Sequence, residues 1–434
     1  METVAQEPPG SGSRLSRSVP SRSVIDGWDK LALVSALLLL VLYVPELMFP
    51  SWTPRFVVLL GLGPVGVALL VAQAIRRDAA AIALGAALVW TITAGLLGPA
   101  PRSALIGVVG RDLSALTVVL SAGFWAIGRV GTEQGRRILW TVVVWGAAAN
   151  GALALLQVVF EVRSGPLGLL AGRPTGFVTN PVYLGALSAA GAAVGMTLAG
   201  TTRVAAWAPA SALCGIAITL SGSRVALLAG VLTCVLLVVT RRSKDAAFGA
   251  VVVLASVVAG VAVDRLFGVG RNAADRLATG DGGGRTTIWR YGIEATLDRP
   301  LAGYGFGRFR PAVQDRFSIE FVRDFAPDEV SQAWFDPHNV LIGLLVAVGV
   351  IGTLLFAGWL ATNLRSARGP LVWGLLPLGI HWRVQPLALF TLPLAMLMLG
   401  AAMPPSAERA VPHRTATGTG GGVGLVAARA VCVG

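Results

Sequence analysis

The sequence predicts an all-α polytopic membrane protein, and three observations carry that prediction. Of 434 residues, 55% are hydrophobic and only 13% charged, with a mean hydropathy of +0.72, which is more apolar surface than a soluble core of this size buries. The apolar residues fall in successive runs of about 20, the length that crosses a hydrocarbon layer as a helix. Charged residues gather in the short segments between runs and in one long polar stretch, 264–337. A net charge of +13 would point a soluble protein toward nucleic acid. Here no basic patch interleaved with aromatics accompanies it, so nucleic acid is not an expected partner. Cys214, Cys234 and Cys432 are too scattered for a disulfide framework or a zinc site.

Residues 1–29 are rich in Ser, Pro, Gly and Arg without apolar periodicity and read as a disordered cytoplasmic tail. The run after Lys30 has no small-residue cleavage site behind it, so it is expected to anchor the chain rather than be removed. By length, spans are expected near 31–50, 56–75, 79–98, 105–128, 138–160, 181–200, 204–220, 225–240, 246–263 and 339–361. The region 370–403 is long enough for two more, with 381–386 as the turn between them, giving about twelve transmembrane helices of which the eleventh is short. The transmembrane domain is thus 30–403, and 404–434, with Gly420, Gly421 and Gly422 in a row, is a flexible C-terminal tail. Gly61-Leu62-Gly63-Pro64-Val65-Gly66 spells a dinucleotide-binding fingerprint, but it lies inside an apolar run with no preceding strand. Close helix packing by small residues is the better account.

Placing the N-terminus in the cytoplasm puts Arg76, Arg77, Arg129, Arg136, Arg137, Arg203, Arg241, Arg242, Lys244, Arg365 and Arg368 in inner loops. Short outer loops keep Arg55, Arg102, Arg163, Arg173, Arg224 and Arg383. This bias follows the positive-inside rule, so the chain is expected in the cytoplasmic (inner) membrane with 264–337 as a large extracytoplasmic loop. A connection of that length is a functional segment with structure of its own.

Four elements on the outer side could carry chemistry. Gly172-Arg173-Pro174-Thr175-Gly176 precedes Asn180-Pro181, and Pro181 can start the next helix; Arg173 then serves either as a lipid-headgroup anchor or as an anion ligand. Ser221-Gly222-Ser223-Arg224 is a tight turn whose Arg224 opens a helix, and an outer turn needs no arginine for its own sake. Asp281-Gly282-Gly283-Gly284-Arg285-Thr286 leads into an amphipathic helix with Trp289, Ile293 and Leu297 on one face. Glycines before a Thr-capped helix leave backbone N–H groups beside Arg285, a physical basis for holding an anion, and the same helix could simply lie on the membrane. Asp336-Pro337-His338-Asn339 precedes the tenth span. With His381 in the last outer turn and His413 in the tail, His338 is the histidine expected beside the large loop. A helix N-terminus disfavours imidazolium, so its ring would be neutral near pH 7 and able to accept a proton.

In this order and at these span boundaries, the four elements resemble the O-antigen ligase and polymerase family, joined by Arg299-Pro300-Leu301-Ala302-Gly303-Tyr304-Gly305. The similarity runs from about Gly172 to Ala361. It implies a multi-span enzyme resembling the class-C glycosyltransferase fold. Such an enzyme moves a glycan from an undecaprenyl-diphosphate-linked donor to a lipid, glycan or protein acceptor at the outer face of the membrane, with no cofactor and no metal. Carried over, the resemblance makes His338 the catalytic residue and Arg224 and Arg285 the diphosphate ligands, with Arg173 a weaker candidate. Stepwise polymerisation and one-step ligation would use the same donor and site. The rival class is a transporter or flippase of a lipid-linked glycan or other solute. Few charges fall inside the spans, Glu46, Arg111 and Asp112 among them, which weighs against a transport path. The glycine-rich tail departs from the family's pattern.

Overall fold

The computed structural model describes residues 26–44, 52–107, 113–162, 167–170, 172–199, 206–267, 285–321, 336–385 and 391–404. Glu46, Arg111, Asp112, the glycines at 282–284 and the sequence tails, with His413 and Cys432, lie outside them. Within these bounds the chain forms helices α1 (Gly27–Val41), α2 (Trp52–Ile75), α3 (Ala79–Leu97), α4 (Pro101–Ile106), α5 (Ala115–Val130), α6 (Glu133–Val159), α7 (Pro181–Ala199), α8 (Ala208–Leu220), α9 (Arg224–Arg241), α10 (Lys244–Phe267), α11 (Arg285–Asp298), α12 (Phe309–Val313), α13 (Val340–Ser366), α14 (Pro370–Trp382) and α15 (Thr391–Ala402).

Among the described residues seven helices, α2, α3, α6, α7, α9, α10 and α13, are long and apolar enough to cross a membrane. The other apolar runs fold as shorter helices. α1 has 15 residues, α5 16, α8 13, α14 13 and α15 12, below the ~20 of an upright crossing. The differences from the expected spans trace to caps. The first helix starts at Gly27, before Lys30, because Asp26 accepts from the Asp29 amide. The expected fourth span divides: α4 ends at Gly107, with φ 78°, and Ser114 and Thr117 cap α5 reciprocally. Thr132 starts α6 five residues before 138 by accepting from the Gly135 amide. Beside that cap, Asp29 is fully buried and accepts from the Thr132 amide at 2.7 Å.

α7 is the hub. Its first described residues through Leu198 are 94% buried, and it packs on α6, α8, α9 and α14. Its run of Ala, Gly and Ser allows that approach: a Cβ on Gly191 would meet Ala147 of α6 at 2.4 Å, and one on Gly195 would meet Ser211 of α8 at 2.5 Å. The glycines of the false fingerprint work the same way. A Cβ on Gly66 would fall 2.3 Å from the Gly123 carbonyl of α5. Large apolar side chains left exposed, such as Val57, Val89, Val239 and Val258, lie on the rim helices α2, α3, α9 and α10, where lipid would cover them.

The stretch after α10 folds back on the bundle. α11 buries Ile288, Tyr291 and Ala295 against α13 and the ring cluster of Phe309, Phe317 and Phe321. Its opposite face, with Ile293 and Leu297, is exposed. α13 is broken at Gly349, which has φ 64°. The segment after α11 plugs the break: the Tyr304 and Gly305 amides donate to Val346 and Ala347 carbonyls at 2.8 Å, and the Val350 amide donates to the Pro300 carbonyl at 2.8 Å. Trp90 of α3 donates its indole N–H to the Val348 carbonyl at 2.9 Å, and Arg299 donates to the Leu97 carbonyl at 3.1 Å. Irregular backbone at membrane depth persists only when its polar groups are satisfied in this way.

Gly349→Ala should destabilise the protein by about 1–3 kcal/mol, since a Cβ there would stand 2.2 Å from the Leu301 carbonyl in a left-handed backbone. Gly358→Ala, with nothing within 4 Å, is the neutral comparison. Thermal denaturation of both variants in detergent micelles measures the difference.

Candidate active site

The four elements singled out in the sequence meet at one end of the bundle. Gly172 turns with φ 74°, pairing Leu170 with Arg173 as a two-way backbone bridge of 2.8 and 3.0 Å. Behind it the chain makes a 3-10 turn, Gly176–Val178, before Asn180 accepts from the Val182 amide and Pro181 opens α7. The loop is held from beneath by two amide side chains of α6. Gln157 accepts from the Thr175 and Gly176 amides at 2.9 and 3.0 Å, and Asn150 accepts from the Phe177 amide at 2.9 Å while donating to the Leu40 carbonyl at 3.0 Å. Arg55, expected in an outer loop, is instead fully buried in the first turn of α2. It donates to the Leu39 carbonyl at 2.8 Å and the Phe177 carbonyl at 3.3 Å. Capping carbonyls at the end of α1 compensates its burial.

Arg173 reaches across to the second element, donating to the Ser221 carbonyl at 3.5 Å. In that turn Gly222 has φ 63°, and Ser223 caps α9 by accepting from the Ala226 amide, so Arg224 is the first helical residue. The turn presses on the start of α7: a Cβ on Gly185 would meet Ser221 Oγ at 2.6 Å and Ser223 Cβ at 3.2 Å. Two residues earlier on α7, Tyr183 stacks obliquely with His381 at 5.9 Å between ring centroids. His381 therefore does not occupy a turn; it ends α14, fully buried. The 13-residue helix continues through it because Arg383 and Val384 donate back to the carbonyls of residues 380 and 381.

The third and fourth elements close on the same place. α11 begins at Arg285, one residue before the expected threonine cap, and the glycines ahead of it lie outside the described residues. Trp289 donates its indole N–H to the Pro337 carbonyl at 2.9 Å, fastening α11 to the histidine segment. There the His338 amide donates to Asp336 Oδ1 at 2.7 Å, Asn339 caps α13 from the Leu341 and Ile342 amides, and His338 itself takes φ 54°. That left-handed conformation costs a non-glycine residue about 1 kcal/mol and aims the ring. Nδ1 lies 3.0 Å from the Asp336 carbonyl. A carbonyl only accepts, so Nδ1 carries the proton and Nε2 is the acceptor nitrogen of the neutral ring. Burial holds His338 below the usual imidazole range; the Asp336 hydrogen bond opposes this, and the charge of Arg285 adds to it. Arg285 and His338 both act electrostatically on His381, and Asp336 acts on Tyr183.

The structure thus links Arg173 to the Arg224 turn, that turn to the first turn of α7, α7 to His381, and His381 to Arg285 and His338. The sequence gives no role to Asn150, Gln157 or Tyr183, and it places His381 in a turn. For the first two a signal existed: two amides seven residues apart stand on one face of an otherwise apolar run.

The fold is that of a multi-pass helical membrane protein with cationic and imidazole groups gathered at one end. Residues 209–357 match the family model described as O-antigen ligase. The segment is O-antigen ligase-like, in agreement with the family its motifs resemble. It contains Arg224, Arg285 and His338; Arg173 and His381 fall outside it. No curated protein matches the chain.

Gln157→Leu should leave the Thr175 and Gly176 amides without their acceptor, at about 1–3 kcal/mol for each buried donor. Its melting temperature should fall and chymotrypsin should cut faster after Phe177, which the same loop carries. Wild-type resistance in that variant would mean the loop holds without α6.

Proposed function

We propose that the protein transfers a glycan from an undecaprenyl-diphosphate carrier to a lipid, glycan or protein acceptor at the outer face of the cytoplasmic membrane. The observation that carries this is the placement of His338, with Nε2 as its acceptor nitrogen, within electrostatic reach of Arg285 at the start of α11. In the step proposed, Nε2 takes the proton of an acceptor hydroxyl as its oxygen attacks the anomeric carbon. The bond from that carbon to the diphosphate oxygen breaks, and the electron pair leaves on the diphosphate. Arg224 and Arg285, with Arg173 beside the Arg224 turn, oppose the charge that develops there. Orientation is supported by the opposite end of the bundle. Arg76, Arg77, Arg129, Arg137, Arg241, Arg242, Lys244, Arg365 and Arg368 lie at the helix ends remote from His338, as expected of a cytoplasmic side.

With reconstituted protein and a carrier-linked oligosaccharide, Arg224→Ala and Arg285→Ala should each weaken donor use tenfold or more, on the order of 1.5–3 kcal/mol per charge-assisted contact. Lysine should restore it only in part, lacking the bidentate fork. His338→Gln should slow transfer by about 10²- to 10⁴-fold, with Asp336→Asn as the control for the neighbouring carboxylate. Near-normal transfer by the His338 variant beside a dead Asp336 variant would move the base to Asp336. Product length separates stepwise polymerisation from transfer of a whole chain.

The pH profile has a defined sign. Transfer needs deprotonated His338, so the acid limb of kcat/KM should lie below about 6.5, because burial and Arg285 lower its pKa. Arg285→Gln removes a positive charge that favours the neutral ring, so the acid limb of the residual activity should move to higher pH. A shift to lower pH would assign the limb to a different group.

A further inference from the structure

His381 is fully buried, and both of its ring nitrogens lack a hydrogen-bond partner among the described residues. An unsatisfied buried polar group costs about 1–3 kcal/mol, and such a group in a native protein calls for an explanation. A packing residue would be better served here by phenylalanine or leucine, since the ring sits on Tyr183 in an apolar setting. Its position is also not neutral. α14 packs on both α7 and α9, the helices that begin at Pro181 and at Arg224, and the ring is close enough to Arg285 for its charge to act on it. A neutral imidazole offers one donor and one acceptor, which is the complement of a hydroxyl. A diphosphate offers acceptors alone and is better matched by guanidinium groups.

We propose that His381 is a substrate-binding residue for the sugar: its unpartnered nitrogens hydrogen-bond a hydroxyl of the glycan next to the diphosphate, on the floor of the site formed by α7, α9 and α14. This rests on the lipid-carrier reading given above. It assigns to His381 the positioning of the sugar ring whose anomeric carbon reacts, and to Arg224 and Arg285 the diphosphate.

Binding separates these roles without requiring turnover. The probes are undecaprenyl diphosphate alone and undecaprenyl diphosphate carrying an oligosaccharide, titrated into purified full-length protein in nanodiscs. His381→Phe keeps ring volume and removes both nitrogens. It should bind the bare carrier within twofold of wild type and the glycan-linked carrier about three- to tenfold more weakly, the range of one hydrogen bond. Arg285→Ala should weaken both. His381→Asn, which restores a donor and an acceptor on a shorter side chain, should recover part of the glycan-dependent difference. It also serves as the second variant should the phenylalanine protein fold poorly. Wild-type affinity of His381→Phe for both probes would make the histidine a packing residue, and equal weakening toward both would put it at the diphosphate; either result overturns the assignment. If wild-type protein binds neither probe, the carrier reading itself fails and the assignment falls with it.

Discussion

Backbone polar groups at membrane depth must be satisfied inside the protein, and the architecture at the His338 end follows from that requirement. Two stretches of irregular chain enter the bundle there. The 172–179 loop rests on Asn150, Gln157 and Arg55, which supply its backbone with acceptors and donors. The 299–305 segment meets the broken turn of α13, donor to acceptor, with Trp90 and Arg299 completing the pairing. These side chains hold the 172–179 loop that carries Arg173 and the 299–305 segment that follows α11.

Close packing is the second condition. α7 passes close to α6 and α8 where Gly191 and Gly195 face Ala147 and Ser211, and its first turns lie against both the Arg224 turn and His381. Bulk at Gly185 would push Ser221 and Ser223 away and with them the carbonyl that Arg173 meets. Packing in the interior and geometry at the surface are therefore one problem in this fold.

Apolar run length located most of the helices, because lipid imposes it regardless of tertiary detail. Boundaries were less legible: the division between α4 and α5 depends on a positive φ at Gly107 and a capping box at Ser114, neither of which alters hydropathy. The order Arg173, Arg224, Arg285, His338 was readable since each stands at or near a helix start. Their convergence was not, because it depends on α7 and α14 crossing beside them. His381 was misplaced for a related reason. In sequence, its Trp-Arg-Val-Gln-Pro neighbours resemble a turn, whereas backbone bonds from Arg383 and Val384 extend α14 past it. The Arg299–Gly305 stretch is a visible pattern in the sequence, whereas its use as a plug depends on the break in α13 at Gly349.

The fastening of α11 has a mechanical meaning. The helix is a strut of 14 residues, about 21 Å long. Its foot is pinned by the plug at Gly349, and its upper half is tied through Trp289 to the Pro337 carbonyl. A strut held at its foot can swing but cannot slide, so Arg285 at its tip has little freedom along the helix axis. The tie to Pro337 makes any swing carry the His338 segment with it. Arg285 and the His338 segment are therefore spaced by one shared tie, Trp289 to the Pro337 carbonyl.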